Sequence, residues 1–212
     1  MNDQEQESRG SELIESPAGA PDPILSSRFA EALAYIVKLH AHQARKGTRI
    51  PYLGHLLSVA GLVLEDGGDE DEAIAALLHD AVEDQGGAET LATIEQQFGQ
   101  RVADIVLACS DTTVTPKPPW RERKQAYLDH LTIATPSARR VSLADKLHNA
   151  RAILSDYRAL GEDLWGRFNA PRDDTLWYYR ELVNTFRKAR IDSPMLDELN
   201  RVVSEIERLV AA

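Results

Sequence analysis

The sequence predicts an all-α chain folded as an irregular helical bundle. Apolar residues recur at three- and four-residue spacing, clusters of Gly and Pro punctuate those runs, and no segment alternates apolar and polar residues as a strand requires. No internal repeat divides the chain, so the parts of any site must converge from different helices.

Between residues 26 and 44, Phe29, Leu33, Ile36, Val37 and His40 fall at helical spacing behind a serine pair able to cap, which predicts a first helix ending near Arg45. A loop at 45–52 carries Arg45, Lys46 and Arg49 around Gly47. The second helix follows over 56–64 with His55 in its first turn. After the Asp66-Gly67-Gly68 turn a third is expected over 69–82, closed by Gly86-Gly87. Helices over 90–98 and 102–110 part at Gly99, and Pro116, Pro118 and Pro119 make 112–119 a loop. A charged helix is predicted over 121–133, and Pro136 suits the first turn of a long helix bearing Asp145. Two amphipathic helices, over 174–190 and 196–210, complete the chain.

At 212 residues and 43% hydrophobic, the chain can bury one core. Residues 1–23 hold few large apolar side chains among Gln, Glu, Ser, Gly and Pro and are expected to form a disordered tail, leaving 24–212 as a single domain. No secretory signal and no run of ~20 apolar residues is present, which points to a cytoplasmic protein without a membrane partner. The lone Cys109 lies in an apolar helical run and reads as core. A net charge of −10 works against long nucleic acids, although a local basic cluster can still hold a small anion.

Two acid-bearing interruptions of apolar helical runs carry the chemistry. One is Leu77-Leu78-His79-Asp80-Ala81-Val82-Glu83-Asp84, the other Leu143-Ala144-Asp145-Lys146-Leu147-His148-Asn149. A carboxylate following the buried run that ends at Leu78 is costly unless it meets a cation, so Asp80 calls for one. On a helix His79 lies over Glu83 and Asp80 over Asp84. A His and an Asp offered together suit a borderline divalent metal, and the second acid pair suits activation of water. A helix end emerging into solvent would explain Glu83 and Asp84 alone, but not His79 and Asp80 between Leu78 and Val82.

These motifs resemble a known family. The first run is similar to the HDxxED signature of the HD-superfamily hydrolase domain of RelA/SpoT homologues, and Leu143 to Arg151 resembles that family's LADKLHNxR segment. Arg45-Lys46-Gly47 followed by Pro51-Tyr52-Leu53-Gly54-His55 is similar to its RKxGxPYxxHP element, departing from it at Gly54 and Leu56. The motifs occur in the family's order over about residues 29–151, with a weaker likeness at Trp165-Gly166-Arg167-Phe168-Asn169 and Trp177-Tyr178-Tyr179. That span leaves no room for the nucleotidyltransferase and regulatory domains of the long members.

The resemblance therefore implies a bundle of the HD-domain type and a small, hydrolase-only enzyme that removes the 3′-pyrophosphate from (p)ppGpp- or (p)ppApp-type nucleotides. It implies His55, His79, Asp80 and Asp145 as metal ligands, Glu83 and Asp84 as the catalytic pair, and Arg45, Lys46 and Asn149 as substrate contacts. Manganese is the implied metal, while the ligand set alone admits iron, cobalt or zinc.

Taken singly, His55 reads as a capping or core histidine and Arg45-Lys46 as a charged surface loop. His40 reads equally as packing, and His148 as a support beside Asp145. Trp177, Tyr178 and Tyr179 read as core, and residues 111–124 as either a lid over phosphates or an ordinary connection. Two other functions compete: an HD phosphohydrolase acting on ordinary nucleotides or monoesters, and a non-catalytic alarmone-binding protein, against which intact Glu83 and Asp84 weigh.

Overall fold

The computed structural model describes residues 24–111 and 116–211, so the expected tail at 1–23 and Thr112 to Thr115 of the expected loop lie outside the described residues. Within them the chain is all-α, as its periodicity predicts. Ten α-helices and one 3-10 helix account for its regular structure, and the β pairing among the described residues is one isolated antiparallel bridge between Ala44 and Pro51. No helix among them is long and apolar enough to cross a membrane.

The centre of the bundle is α3 (Glu70–Leu78), in which every residue from Ala73 to Leu78 is inaccessible to solvent. It is started by a reciprocal cap: Glu72 donates its backbone N–H to Asp69, and Asp69 returns one to the Glu72 carboxylate, each at 3.0 Å. Around it pack α1 (Ser27–Leu39), α2 (Leu53–Glu65), α6 (Gln100–Cys109) and α8 (Pro136–Leu160), with α5 (Gly87–Phe98) against α6. The other face of α8 carries α10 (Pro194–Val210), while α9 (Arg172–Lys188) bridges α7 (Trp120–Ile133) and α10. Thr135 caps α8 by accepting from the Ala138 N–H at 3.2 Å, and Pro136 occupies its first position. A partly buried chain of contacts ties four elements: Arg140 of α8 reaches Glu72 of α3 at 2.6 Å and Asp66 at the end of α2 at 3.1 Å, and Asp66 accepts from Ser193 ahead of α10 at 2.5 Å.

Three departures from the sequence-based expectation shape the site. The first helix stops at Leu39 and not near Arg45, because the backbone beyond it is used elsewhere: Tyr52 N–H donates to Gln43 O at 2.9 Å and Arg45 N–H to Ile50 O at 2.8 Å, closing a narrow loop that turns at Gly47. The third helix is not continuous to Val82. It breaks at His79, whose Nδ1 bonds the Ala76 carbonyl at 2.8 Å, and Asp80 sits at φ −96°, ψ −3°, between the helical and extended regions. A four-residue helix, α4 (Ala81–Asp84), resumes after it. Finally, a 3-10 helix (Gly161–Arg167) that the sequence did not announce follows α8.

Candidate active site

Four side chains from three regions meet at one point. His55 comes from the first turn of α2, His79 and Asp80 from the break between α3 and α4, and Asp145 from the middle of α8. His55 Nε2 lies 3.6 Å from Asp80 Oδ2 and 3.2 Å from Asp145 Oδ1, and His79 Nε2 lies 3.1 Å and 3.5 Å from the same two oxygens. Both imidazoles and Asp145 are buried, whereas the Asp80 side chain keeps 24% of its exposure and stands at the rim. The full burial that the apolar run suggested for Asp80 is thus not found: the backbone break swings it outward from the core.

The ring nitrogens are oriented from behind. His79 Nδ1 has only a carbonyl to face, so it carries the hydrogen and leaves a lone pair on Nε2. His55 Nδ1 lies 2.8 Å from Nδ1 of His148, whose pKa falls to about 4 through burial and the neighbouring His55 and Arg45. A neutral His148 accepts from His55, which again leaves a lone pair on Nε2. Among the described residues neither Nε2 has a hydrogen-bond partner, although both are buried. Two buried lone pairs facing two carboxylates repel unless a cation lies between them, and His55, His79 and Asp80, whose ligand atoms lie within 4.8 Å of one another, fit a divalent metal with mixed nitrogen and oxygen ligands. Without one, protonation serves. Burial opposes the charge on His79, yet Asp80 and Asp145 raise its pKa well above the ordinary value; the imidazoles in turn hold the Asp80 carboxyl, and Lys146 with the imidazoles the Asp145 carboxyl, well below the ordinary range despite burial.

Further contacts brace the carboxylates. Tyr52 donates its hydroxyl to Asp80 Oδ2. Lys146 Nζ bonds Asp145 Oδ2 at 2.6 Å and Asn149 Nδ2 bonds Asp145 Oδ1 at 2.6 Å. Asn149 also accepts from Arg45 at 2.9 Å, so one amide joins the central carboxylate to the basic loop. Glu83 and Asp84 do not aim along with His79 and Asp80 as uninterrupted helical stacking would have them. Glu83 accepts from the Asp111 N–H at 2.6 Å, and Asp84 accepts from Gln43 Nε2 at 2.7 Å. Partial burial raises the Asp84 pKa above the ordinary carboxylate value.

A cleft of about 700 Å³ opens beside His55. Among the described residues its walls carry five cations, Arg45, Lys46, Lys124, Lys146 and Arg167, against the single carboxylate of Asp156. In a chain of net charge −10 this local reversal selects an anionic ligand. The far end is apolar, with Ile153, Leu164 and Phe168. Tyr178 is buried in the core and Tyr179 packs against it, as the sequence reads them, yet both also line the cleft, and among the described residues the Tyr178 hydroxyl has no hydrogen-bond partner. Trp177 is instead outside it, beneath the Arg121 guanidinium at 3.2 Å from the ring centroid. Sequence reasoning missed Lys146 and Arg167 as cleft residues, and reached Lys124 only through the reading of 111–124 as a possible lid over phosphates. His40 is not at the cleft: it is buried, stacked on Tyr52 with ring centroids 5.7 Å apart.

An all-α domain that gathers two imidazoles and two carboxylates beside a cation-lined cleft is a helical protein built to hold a divalent metal next to an anion. Residues 32–175 match the HD domain family, and the chain belongs to it. It is 40% identical over 124 residues to the *Xenopus tropicalis* protein named guanosine-3′,5′-bis(diphosphate) 3′-pyrophosphohydrolase MESH1, a match covering 57% of this chain and 66%, just under two thirds, of that protein. To the *Homo sapiens* protein of the same name it is 35% identical over 129 residues, covering 59% of this chain and 69% of that one. A solved structure described as a metazoan ortholog of SpoT that hydrolyzes ppGpp superposes with a TM-score of 0.71 at 26% identity, covering 90% of this chain and 99% of that one.

Proposed function

We propose that this protein is a divalent-metal-dependent hydrolase that removes the 3′-pyrophosphate from guanosine-3′,5′-bis(diphosphate). The observation that carries the reading is the pair of buried, unpartnered imidazole nitrogens facing Asp80 and Asp145 at the edge of a cleft whose wall is cationic. The names of the relatives supply the nucleotide.

His55, His79, Asp80 and Asp145 would hold the metal, which supplies Lewis acidity toward a phosphoryl oxygen and lowers the pKa of a water. We assign it as manganese, which accepts carboxylate, imidazole and water together. Arg45 and Lys46 hold the 3′-diphosphate, on a loop that Gly47 turns and that Asn149 and Asn169 fix through bonds of 2.9 and 2.5 Å. Asn149 contacts the sugar from the same position. Asp84, with its raised pKa, takes the proton of the attacking water and passes it to the leaving oxygen, while Glu83 orients that water. The water oxygen bonds to the phosphorus nearest the sugar, the bond from that phosphorus to the 3′ oxygen breaks, and the 3′ oxygen leaves as a hydroxyl. Pyrophosphate and guanosine 5′-diphosphate result.

The reading extends to the adenosine counterpart, because the groups assigned here meet phosphate, sugar and water, and the apolar end of the cleft accepts either purine face. Purified protein with manganese and each 3′-pyrophosphorylated nucleotide tests both statements. Pyrophosphate should appear in step with a nucleotide bearing a free 3′ hydroxyl. Stepwise release of orthophosphate, or equal turnover of a simple nucleoside triphosphate, would replace this reading with a general phosphohydrolase.

A further inference from the structure

Asp84 stands four residues beyond Asp80, on the four-residue helix α4. Nothing in so short a helix fixes the direction of that side chain. What meets it is the amide of Gln43, from the turn between α1 and the basic loop, at 2.7 Å. That amide is itself held at its other end: Gln43 Oε1 accepts from Gln85 Nε2 at 2.6 Å and lies 2.7 Å from His40 Nδ1. His40 is 4% exposed and stacks on Tyr52, so its ring cannot turn away.

The polarity of this network has one consistent solution. With His40 Nδ1 and Gln85 Nε2 both donating, Gln43 Oε1 is satisfied twice and its NH2 must face the Asp84 carboxylate. The His40 ring then carries its lone pair on Nε2, which is the buried nitrogen without a partner, and an unmet acceptor is tolerated better than an unmet donor. Turning the Gln43 amide over would set its oxygen against the Asp84 oxygens and its NH2 against two donors. The backbone supports the same arrangement, since Gln43 O also accepts from Tyr52 N–H at 2.9 Å.

We propose that Gln43 is a positioning residue that holds the Asp84 carboxylate in its working orientation, its own amide being locked from behind by His40 and Gln85. The proposal rests on the role given to Asp84 above, and it adds the residue through which that role is set. The Gln43 side chain bonds none of the four clustered metal-site residues and none of the five cleft cations, and its backbone carbonyl keeps the bond to Tyr52 N–H whatever the side chain, so a side-chain change should act through Asp84.

The test is a double-mutant cycle of Gln43→Met with Asp84→Asn, following kcat, KM and bound manganese on guanosine-3′,5′-bis(diphosphate). Methionine keeps the length of the side chain and removes both ends of the amide. Gln43→Met should lower kcat about tenfold, the worth of a hydrogen bond to a charged group, with KM and metal content unchanged within about twofold. In the Asp84→Asn background the same change should have no further effect, whereas a merely structural residue would cost as much in either background. Gln85→Met, which frees the amide without removing it, should give a smaller loss that also vanishes with Asp84→Asn and serves if Gln43→Met does not fold. An unchanged kcat in Gln43→Met, or losses that add in the double variant, would overturn the proposal while leaving the assigned reaction intact. A full rate in Asp84→Asn alone would instead bring down the role of Asp84, and Gln43 with it.

Discussion

At the scale of single residues, Asp80 and Glu83 lie three positions apart and should fail differently. Asp80 Oδ2 lies 3.1 Å from His79 Nε2 and 3.6 Å from His55 Nε2, so Asp80→Asn removes one of two negative groups facing both imidazoles and should lose bound metal and turnover together. Glu83 accepts from a backbone N–H of Asp111, outside that cluster. Glu83→Gln should therefore keep its metal and lose roughly 10²-fold in rate; metal content by elemental analysis beside the rate separates the two, and loss of metal from Glu83→Gln would move Glu83 into the ligand set. Lys124 gives a pH test. Its pKa falls to about 7 because it is buried, with Lys146 and Arg123 adding to the fall and Glu83 and Asp145 opposing it; Asp111 Oδ1 stands 3.2 Å away and the Tyr178 ring 5.0 Å. Since the folded protein holds this ammonium below its ordinary range, the charge is present below about pH 7 and lost above it. KM for a polyphosphate substrate should rise as pH passes 7, and Lys124→Met should show the high KM throughout with that rise removed. A rise that survives in the variant would assign it to another group. That His79, Asp80 and Asp145 would come together was legible because their motifs put a His-Asp pair and a lone Asp inside apolar runs. Lys124, Lys146, Tyr178 and Tyr179 were not, because at helical spacing they cannot be told from packing or a solvated face until α7, α8 and α9 are brought together.

At the scale of elements, the helices were legible where Pro and Gly bound them, as with Pro136 at the start of α8, whereas Ser193 and Pro194, which begin α10, were passed over for a start at Leu196. The break at His79 was not, since Ala81 to Asp84 continue an acceptable helical pattern and the interruption comes from a side chain bonding the Ala76 carbonyl. The early end of α1 was equally hidden, because it depends on a bridge to Pro51 that only the folded loop supplies. That loop offers a direct test of how the basic residues are held. Gly47 turns at φ +72°, and a Cβ there would come within 3.1 Å of Arg167 Cδ on the 3-10 helix. Gly47→Ala imposes both a left-handed backbone and a displacement of Arg167, costing about 1 kcal/mol or more of local order. Since Arg45 and Lys46 precede it, KM should rise several-fold while metal content stays at the parent level. An unaltered KM would show that the loop adjusts without moving its cations.

At the scale of the whole molecule, the metal point couples folding, protonation and ligand. Three separate regions, at α2, the α3–α4 break and α8, place two carboxylates against two imidazoles, and the fold must neutralise them with either protons or a cation. In the metal-free protein His79 has a folded pKa well above its unfolded value, so the stability it contributes is complete below about pH 6.5 and is lost as pH rises through the folded pKa. Metal needs the Nε2 lone pair, so binding must expel that proton and its affinity must increase with pH until the folded pKa of His79 is passed. Both effects have the same sign for the difference between loaded and metal-free protein. Manganese at about 100 times its dissociation constant should stabilise by ~2.7 kcal/mol, several degrees in Tm for a chain of this size. At a fixed manganese concentration the Tm gap between loaded and chelator-treated protein should therefore widen from pH 6 to pH 8, and calorimetric binding heats in buffers of different ionisation enthalpy should report a released proton. A gap that narrows over that range, or binding without proton release, would mean that the cation does not replace the His79 proton and that the two imidazoles are not its ligands.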